Sequence, residues 1–344
     1  MKNSVDENEI PSLDQEIARE THVAVIIPAY RAERTIGGVI QDIPAFVRTV
    51  VVVDDASPDG TAEAARAAAD PRVTVIRHEA NRGVGGAMTT GYQAAIALGA
   101  EVVVKMDSDG QMDPAEMARL LEPILLGRAD YAKGNRFYMS SYLSSMPVIR
   151  ILGNAALSFL TKVSSGAWQV FDPTNGYTAI HRDVFSVIDV RRIHPRYFFE
   201  SSMLALLTVG RAVIEDVPMP ARYGAERSNL RIGRTLFQFP LLHLRYFIWR
   251  ILKLYYLHDF TALSLFVLFG LPLVLFGLTD GILVWIHSGR TGVPATTGTV
   301  MIPILAIILG FQMLLHAVLL DISSVPRTPI QRRRLVREKG FSRR

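Results

Sequence analysis

The stretch Val102–Gln111, VVVKMDSDGQ, runs from β-branched apolar residues straight into the acidic turn Asp107-Ser108-Asp109-Gly110-Gln111. The apolar part predicts a buried strand. Two carboxylates flanking one residue at its end are costly, because like charges so close raise each other's pKa unless a cation lies between them. Carboxylates and an amide oxygen are hard ligands that suit Mg²⁺ or Mn²⁺. A lone Asp-x-Asp is more often a solvated turn, so its weight depends on its surroundings.

Working outward, VAVII from Val23, TVVVV from Thr49 and VTVI from Val73 are further short β-branched runs, separated by Ala-rich helical stretches. Continuous apolar runs alternating with helices predict an α/β fold whose mostly parallel sheet is covered on both faces. Asp113-Pro114-Ala115-Glu116 reads as an N-cap, a first-turn proline and a capping-box glutamate, and Thr61 as the cap of AEAARAAA. Ligands of such sheets lie beyond the carboxyl ends of the strands. The clusters Pro28-Ala29-Tyr30, Asp54-Asp55, Asn81-Arg82-Gly83 and Asp107 to Gln111 are therefore expected to converge on one site. Residues 137–166 show no clear period and read as a mobile segment beside it.

The 344 residues are 49% hydrophobic, and the mean hydropathy is positive. The excess lies after Phe260: Phe260–Ile286 and Met301–Leu320 are each long enough to cross a bilayer as a helix of about 20 residues. Between Ile232 and Leu257, aromatics and leucines alternate with Arg234, Arg245, Arg250 and Lys253, as in helices lying in the membrane interface with basic groups at the headgroups. The expected organisation is a tail (1–22), a catalytic domain (23–231), interfacial amphipathic helices (232–258), a two-helix transmembrane hairpin (259–322) and a basic tail (323–344). The connection His287–Thr299 carries only Arg290, whereas the C-terminal tail is Arg-rich, so both ends are expected to be cytoplasmic. That bias accounts for the net charge of +5 and points to anionic lipid, not nucleic acid. No apolar leader opens the chain, and with no cysteine it has no disulfides or thiolate-held metals.

Taken in order, VIIPAY, VVDDASPDGT, NRGVGGA, MDSDGQMDP and GNRF resemble the family 2 glycosyltransferases of the glycosyltransferase A fold. The likeness is greatest to polyprenyl-phosphate glycosyltransferases of the dolichyl-phosphate mannose synthase type. It runs from Val23 to about Ile232, and for bacterial relatives through both spans. The resemblance implies that Asp107, Asp109 and Gln111 hold the divalent cation, with Asp109 catalytic and Ser108 beside the nucleotide-sugar. It places Pro28, Ala29, Tyr30, Glu33 and Asp55 against the nucleotide, with Arg82 and Gly83 where free N–H groups at a helix start suit a phosphate. Gly134-Asn135-Arg136 sets Arg136 near a phosphate or the metal site. DPTNGY, Asp172 to Tyr177, resembles the segment under the acceptor and contributes Thr174; the family's next arginine is Thr178 here, with Arg182 a candidate replacement. Glu200 matches a glutamate near the acceptor channel. In RYGAERSNLRI, Arg222 and Ser228 match a segment that closes over the diphosphate; Asn229 stands at the family's lysine position, with Arg231 or Arg227 a candidate to supply the charge.

The implied activity is inverting transfer of one sugar from a UDP- or GDP-linked donor to polyprenyl phosphate at the inner (cytoplasmic) membrane, by a multi-pass protein that relatives suggest is a homo-oligomer. One alternative is transfer to a hydroxyl of a lipid-linked saccharide, which needs a general base, with Asp172 and Glu200 the candidates. The other is a catalytically silent protein that binds nucleotide-sugars. The histidines form no ligand pattern, and neither a Gly-x-Ser-x-Gly elbow nor a P-loop is present. Gln-x-x-Arg-Trp of processive polysaccharide synthases is also missing.

Overall fold

A computed structural model describes residues 21–137, 148–220 and 232–333. The chain divides into two compact units, one formed by the residues up to Tyr246 together with those from Pro326 onward, the other by Phe247–Val325.

The first unit is built on a seven-stranded sheet of order β3-β2-β1-β4-β6-β5-β7. Strands β1 (Val23–Ala29), β2 (Thr49–Asp54), β3 (Val73–Arg77) and β4 (Val102–Lys105) are parallel, as their β-branched runs predict. Strand β6 (Thr178–His181) runs antiparallel between β4 and β5 (Tyr131–Asn135), and β7 (Ile214–Pro218) is parallel to β5. This one reversal positions the site. Because β6 starts where β4 and β5 end, with Thr178 opposite both Lys105 and Lys133, the segment 172–177 enters at the carboxyl edge of the sheet.

Helices α1 (Ile36–Gln41), α2 (Thr61–Ala67), α3 (Val84–Ala97) and α4 (Met117–Leu125) connect the first five strands. Two start signals act differently from their reading. Asp113 does cap, accepting from Ala115 N at 3.1 Å, but it opens a 3₁₀ turn over Pro114–Glu116 and Glu116 closes no capping box. Thr61 lies inside its helix; its hydroxyl accepts from Ala32 N at 2.9 Å and donates to Asp59, tying the loop after β1 to the loop after β2.

Helix α5 (Val148–Ser165) replaces most of the expected mobile segment; residues 138–147 lie outside the described residues. Its period was obscured because the face packed inward is polar. Ser158, Thr161, Ser164 and Ser165 are buried, whereas Phe159 is 65% exposed. The three serine hydroxyls are bonded, Ser158 donating to Phe171 O, Ser165 to Thr161 O, and Ser164 pairing with His243, whereas Thr161 Oγ1 has no hydrogen-bond partner among the described residues. Helix α6 (Phe199–Val209) is apolar and almost wholly buried.

The expected tail 323–344 is not separate throughout. Ile330 N and Gln331 N donate to the fully buried Asp130 carboxylate, which also accepts from Val213 N, and Gln331 Nε2 donates to Ile124 O and Ala129 O. Likewise, the expected interfacial helices are one helix, α7 (Ile232–Leu252), continued by a π-helical turn, Lys253–His258, and the unit boundary falls within α7.

In the second unit, α8 (Ala262–Thr291) and α9 (Thr297–Ser323) form a hairpin of two helices long and apolar enough to cross a membrane. Both exceed the runs read from sequence. Glycines let the backbones approach: a Cβ on Gly310 would lie 2.7 Å from Gly270 O, and one on Gly277 2.7 Å from Pro303 O. Arg250, expected at the headgroups, is instead fully buried, with Nη1 2.7 Å from Asp321 Oδ1 and Nη2 3.0 Å from Oδ2. Tyr255 donates to the same carboxylate at 2.5 Å. A buried guanidinium needs such a planar, two-toothed acceptor.

Candidate active site

The strand ends converge as expected on two adjoining cavities that share Asp107 and Asp109. The larger, ≈ 430 Å³, is lined by Pro28, Ala29, Tyr30, Asp55, Asn81, Gly83 and Ser108 together with Arg196 and Tyr197. The smaller, ≈ 110 Å³, takes in Gln111, Arg136, Thr174, Asn175, Gly176 and Tyr177. The acidic turn is shaped locally: Asp109 Oδ1 accepts from Gln111 N at 3.0 Å, Gly110 has φ +73°, and Ser108 O accepts from Thr35 Oγ1 at 2.6 Å.

Three readings of the larger cavity need correction. Glu33 does not line it; its carboxylate accepts from Gly60 N at 3.3 Å on an exposed edge. Four N–H groups at the start of α3 are not free for a phosphate. Arg82 N and Gly83 N donate to Asp55 at 2.8 and 2.7 Å, and Gly85 N and Gly86 N to Pro195 O at 2.8 and 3.2 Å. The glycines do admit a close backbone, but it is the chain's own: a Cβ on Gly85 would sit 2.0 Å from His194 O. Asp55 lines the cavity while bonding His78 Nδ1 at 2.8 Å, so the strand end is rigid. The Arg82 side chain points outward and is exposed, absent from the lining.

On the smaller side, Asp172 is fully buried and gripped by Arg136, with Nε 2.8 Å from Oδ2 and Nη2 3.1 Å from Oδ1. Thr174 Oγ1 bonds both, to Asp172 Oδ1 at 3.1 Å and Arg136 Nη2 at 3.2 Å. Arg182 follows β6 at the opposite edge of the sheet, where its N–H donates to Glu101 O, so it cannot replace the family arginine. Arg222, Ser228 and Arg231 lie outside the described residues.

Two residues under the site were not singled out from the sequence. Lys105 Nζ, 2% exposed, donates to Asp107 Oδ1 at 2.6 Å and Gly176 O at 3.2 Å, and lies 3.8 Å from Glu200 Oε1. Lys133, fully buried, donates Nζ to Asn175 O. For Lys105 the available signal was a lysine ending an otherwise apolar strand; Lys133, inside YAKGN, gave no such signal. Burial works against the charge of Lys105, but Asp107 and Glu200 outweigh it and hold the pKa above the ordinary lysine value. Burial brings Lys133 down to about 8 despite Glu200 and Asp172. Burial raises Glu200 above its usual range although both lysines oppose it, and lifts Asp216 to about 6.

Asp107, Asp109, Asp172, Glu200 and Asp216 surround Lys105, Lys133 and Arg136, and Asp113 and Glu116 line the same small cavity. Negative charge is in excess, and the oxygens that face the cavity are hard donors, so these residues fit a divalent cation. Among the described residues no three His, Asp or Glu side chains form a cage. A cation here would therefore share Asp107, Asp109 and Gln111 with substrate oxygens, the usual arrangement for Mg²⁺.

Residues 24–188 match the family described as Glycosyl transferase family 2. A UDP-N-acetylglucosamine–dolichyl-phosphate N-acetylglucosaminyltransferase of Methanococcus voltae is 30% identical over 234 residues, covering 62% of this chain and 93% of that protein. An undecaprenyl-phosphate mannosyltransferase of Micrococcus luteus is 33% identical over 201 residues, 56% of this chain and 81% of that one. The glucosyl-3-phosphoglycerate synthase from Mycobacterium tuberculosis, solved with Mg²⁺ and UDP, shares the fold at a TM-score of 0.52 and 20% identity, covering 69% of this chain and 82% of its own. The chain belongs to glycosyl transferase family 2 and is a glycosyltransferase.

Proposed function

We propose that the protein transfers one sugar from a nucleotide-sugar to the phosphate of a membrane polyprenol. The observation that carries this reading is the engagement of both candidate bases. Asp172 is chelated by Arg136, and Glu200 Oε1 lies 3.8 Å from the Lys105 ammonium. A hydroxyl acceptor needs a base that can take its proton, and that assistance is typically worth about 10²–10⁴-fold. A phosphate monoester is already anionic at neutral pH and attacks unaided. It does need cations to offset repulsion between two phosphorylated substrates, and Arg136 faces the smaller cavity to supply one. The relatives named for polyprenyl- and dolichyl-phosphate acceptors agree.

In this reading the larger cavity takes the nucleotide between Tyr30, Asp55 and Asn81, and Arg222 and Arg231 add charge to the phosphates. Asp107, Asp109 and Gln111 would hold Mg²⁺ or Mn²⁺, which would supply counter-charge to the departing nucleoside diphosphate. An oxygen of the lipid phosphate bonds to the anomeric carbon as the bond from that carbon to the diphosphate breaks, inverting the centre. Membranes containing the protein, offered a panel of labelled UDP- and GDP-sugars with purified polyprenyl phosphate, are expected to yield an acid-labile glycosyl phosphate lipid. Asp172→Asn should lower its rate through misplacement of Arg136 while leaving the pH profile unchanged. Loss of the base-dependent limb together with a thousand-fold fall would favour the hydroxyl acceptor.

The spans are proposed to cross the cytoplasmic membrane with both termini inside. Two crossings return the chain to the side it left, and after them Ile330 and Gln331 bond Asp130 of the catalytic unit. Single cysteines introduced into this cysteine-free chain should be labelled by an impermeant outside reagent near Gly292 and not near Arg333. Outside labelling at Arg333 overturns the topology.

A further inference from the structure

We infer that Lys105 and Lys133 are positioning residues that hold Asp107 and the 172–177 loop beneath the reacting groups, with Glu200 as their counterion. The inference rests on the reading of Asp107 as a ligand of the divalent cation. Strands β4 and β5 flank β6, and their lysines bond consecutive carbonyls of the loop that leads into it, Lys105 that of Gly176 and Lys133 that of Asn175. The loop is thus fixed from below at two adjacent peptides. Lys105 also bonds Asp107 Oδ1, so one ammonium ties the loop to the acidic turn. The fit is close: a Cβ on Gly176 would come within 2.4 Å of Lys105 Nζ and 2.7 Å of Asp107 Oδ2.

Glu200 approaches from α6 to within 3.8 Å of the same ammonium. Without Lys105, Asp107 Oδ1 loses its ammonium donor and the acidic turn loses its tie to Gly176, so nothing in this cluster fixes Asp107 against the loop. Groups that hold a metal ligand in place typically contribute about 10–100-fold to metal affinity.

Lys105→Met alone removes a buried cation beside Glu200 and can act through folding, so the decisive variant is Lys105→Met with Glu200→Gln, compared with Glu200→Gln. Mn²⁺ binding to the full-length protein in detergent is followed by its electron paramagnetic resonance signal, with UDP in one series and GDP in another. Circular dichroism and thermal unfolding certify each variant as folded. The double variant is expected to bind Mn²⁺ at least about ten-fold more weakly than Glu200→Gln. Lys133→Met in the Glu200→Gln background should speed amide exchange at residues 175–177. Equal Mn²⁺ affinity of the two folded proteins, or unchanged exchange, overturns the inference while leaving the metal reading intact. Failure of the unaltered protein to bind Mn²⁺ with either nucleotide overturns both.

Discussion

Asp109→Ala is expected to reduce sugar transfer by a thousand-fold or more, and a chelator is expected to abolish transfer reversibly. Asp109 is one of two carboxylates common to both cavities, which on the proposed function places it where the donor's diphosphate and the acceptor meet. Removing it takes away a charged ligand and also the acceptor for Gln111 N, which shapes the turn. The loss of counter-charge to a departing diphosphate is worth several kcal/mol, which is on the order of a thousand-fold or more in rate. Gln111→Ala should cost much less, since water can replace a neutral ligand. The check is turnover with and without chelator, followed by readdition of Mg²⁺ or Mn²⁺. Full activity in chelator with no added divalent ion excludes the assignment.

Gly176→Ala is expected to lower turnover by about 100-fold, the cost that a misplacement of roughly 1 Å carries at a reacting centre. The added methyl would meet Lys105 Nζ, Asp107 Oδ2 and Met112 Cε at 2.4, 2.7 and 3.1 Å. None of these can retreat easily, because Lys105 is buried and Met112 Sδ accepts from Asp107 N. The loop must lift, and it carries Asp172 and Thr174, which orient Arg136. Turnover is compared with thermal unfolding of the same variant. A fully active Gly176→Ala protein would show that the loop is not held tightly.

The parts of the fold visible in the sequence are those whose residues state their environment locally. Strands β1, β2 and β4 are β-branched runs buried on both faces, β3 is a β-branched run only partly buried at the sheet edge, and the two helices long enough to cross a membrane are long apolar runs. Strands β5, β6 and β7, with sequences YAKGN, TAIH and IEDVP, carry no such pattern. Their polar residues are buried only because partners arrive from distant segments, as Lys133 meets Asn175 and Asn135 meets Asp216. Helix α5 hid for a related reason, since serines and threonines face inward. At the site, Asp107, Asp109 and Gln111 were legible as one contiguous turn. Lys105 was not, because its role is defined by Gly176, 71 residues away, and by Glu200. The glycines before α3 were legible as a close approach, but the approaching backbone, residues 194–195, was not.

The bonds from Ile330 and Gln331 to Asp130 make the catalytic unit discontinuous along the chain, with the hairpin inserted into it. Shortening the protein before the first span to obtain a soluble form would therefore strip a buried carboxylate of two of its backbone donors, at the entrance to the strand that ends beside Arg136. A soluble form that respects this architecture joins Tyr246 to Pro326 through a flexible linker and keeps the returning segment.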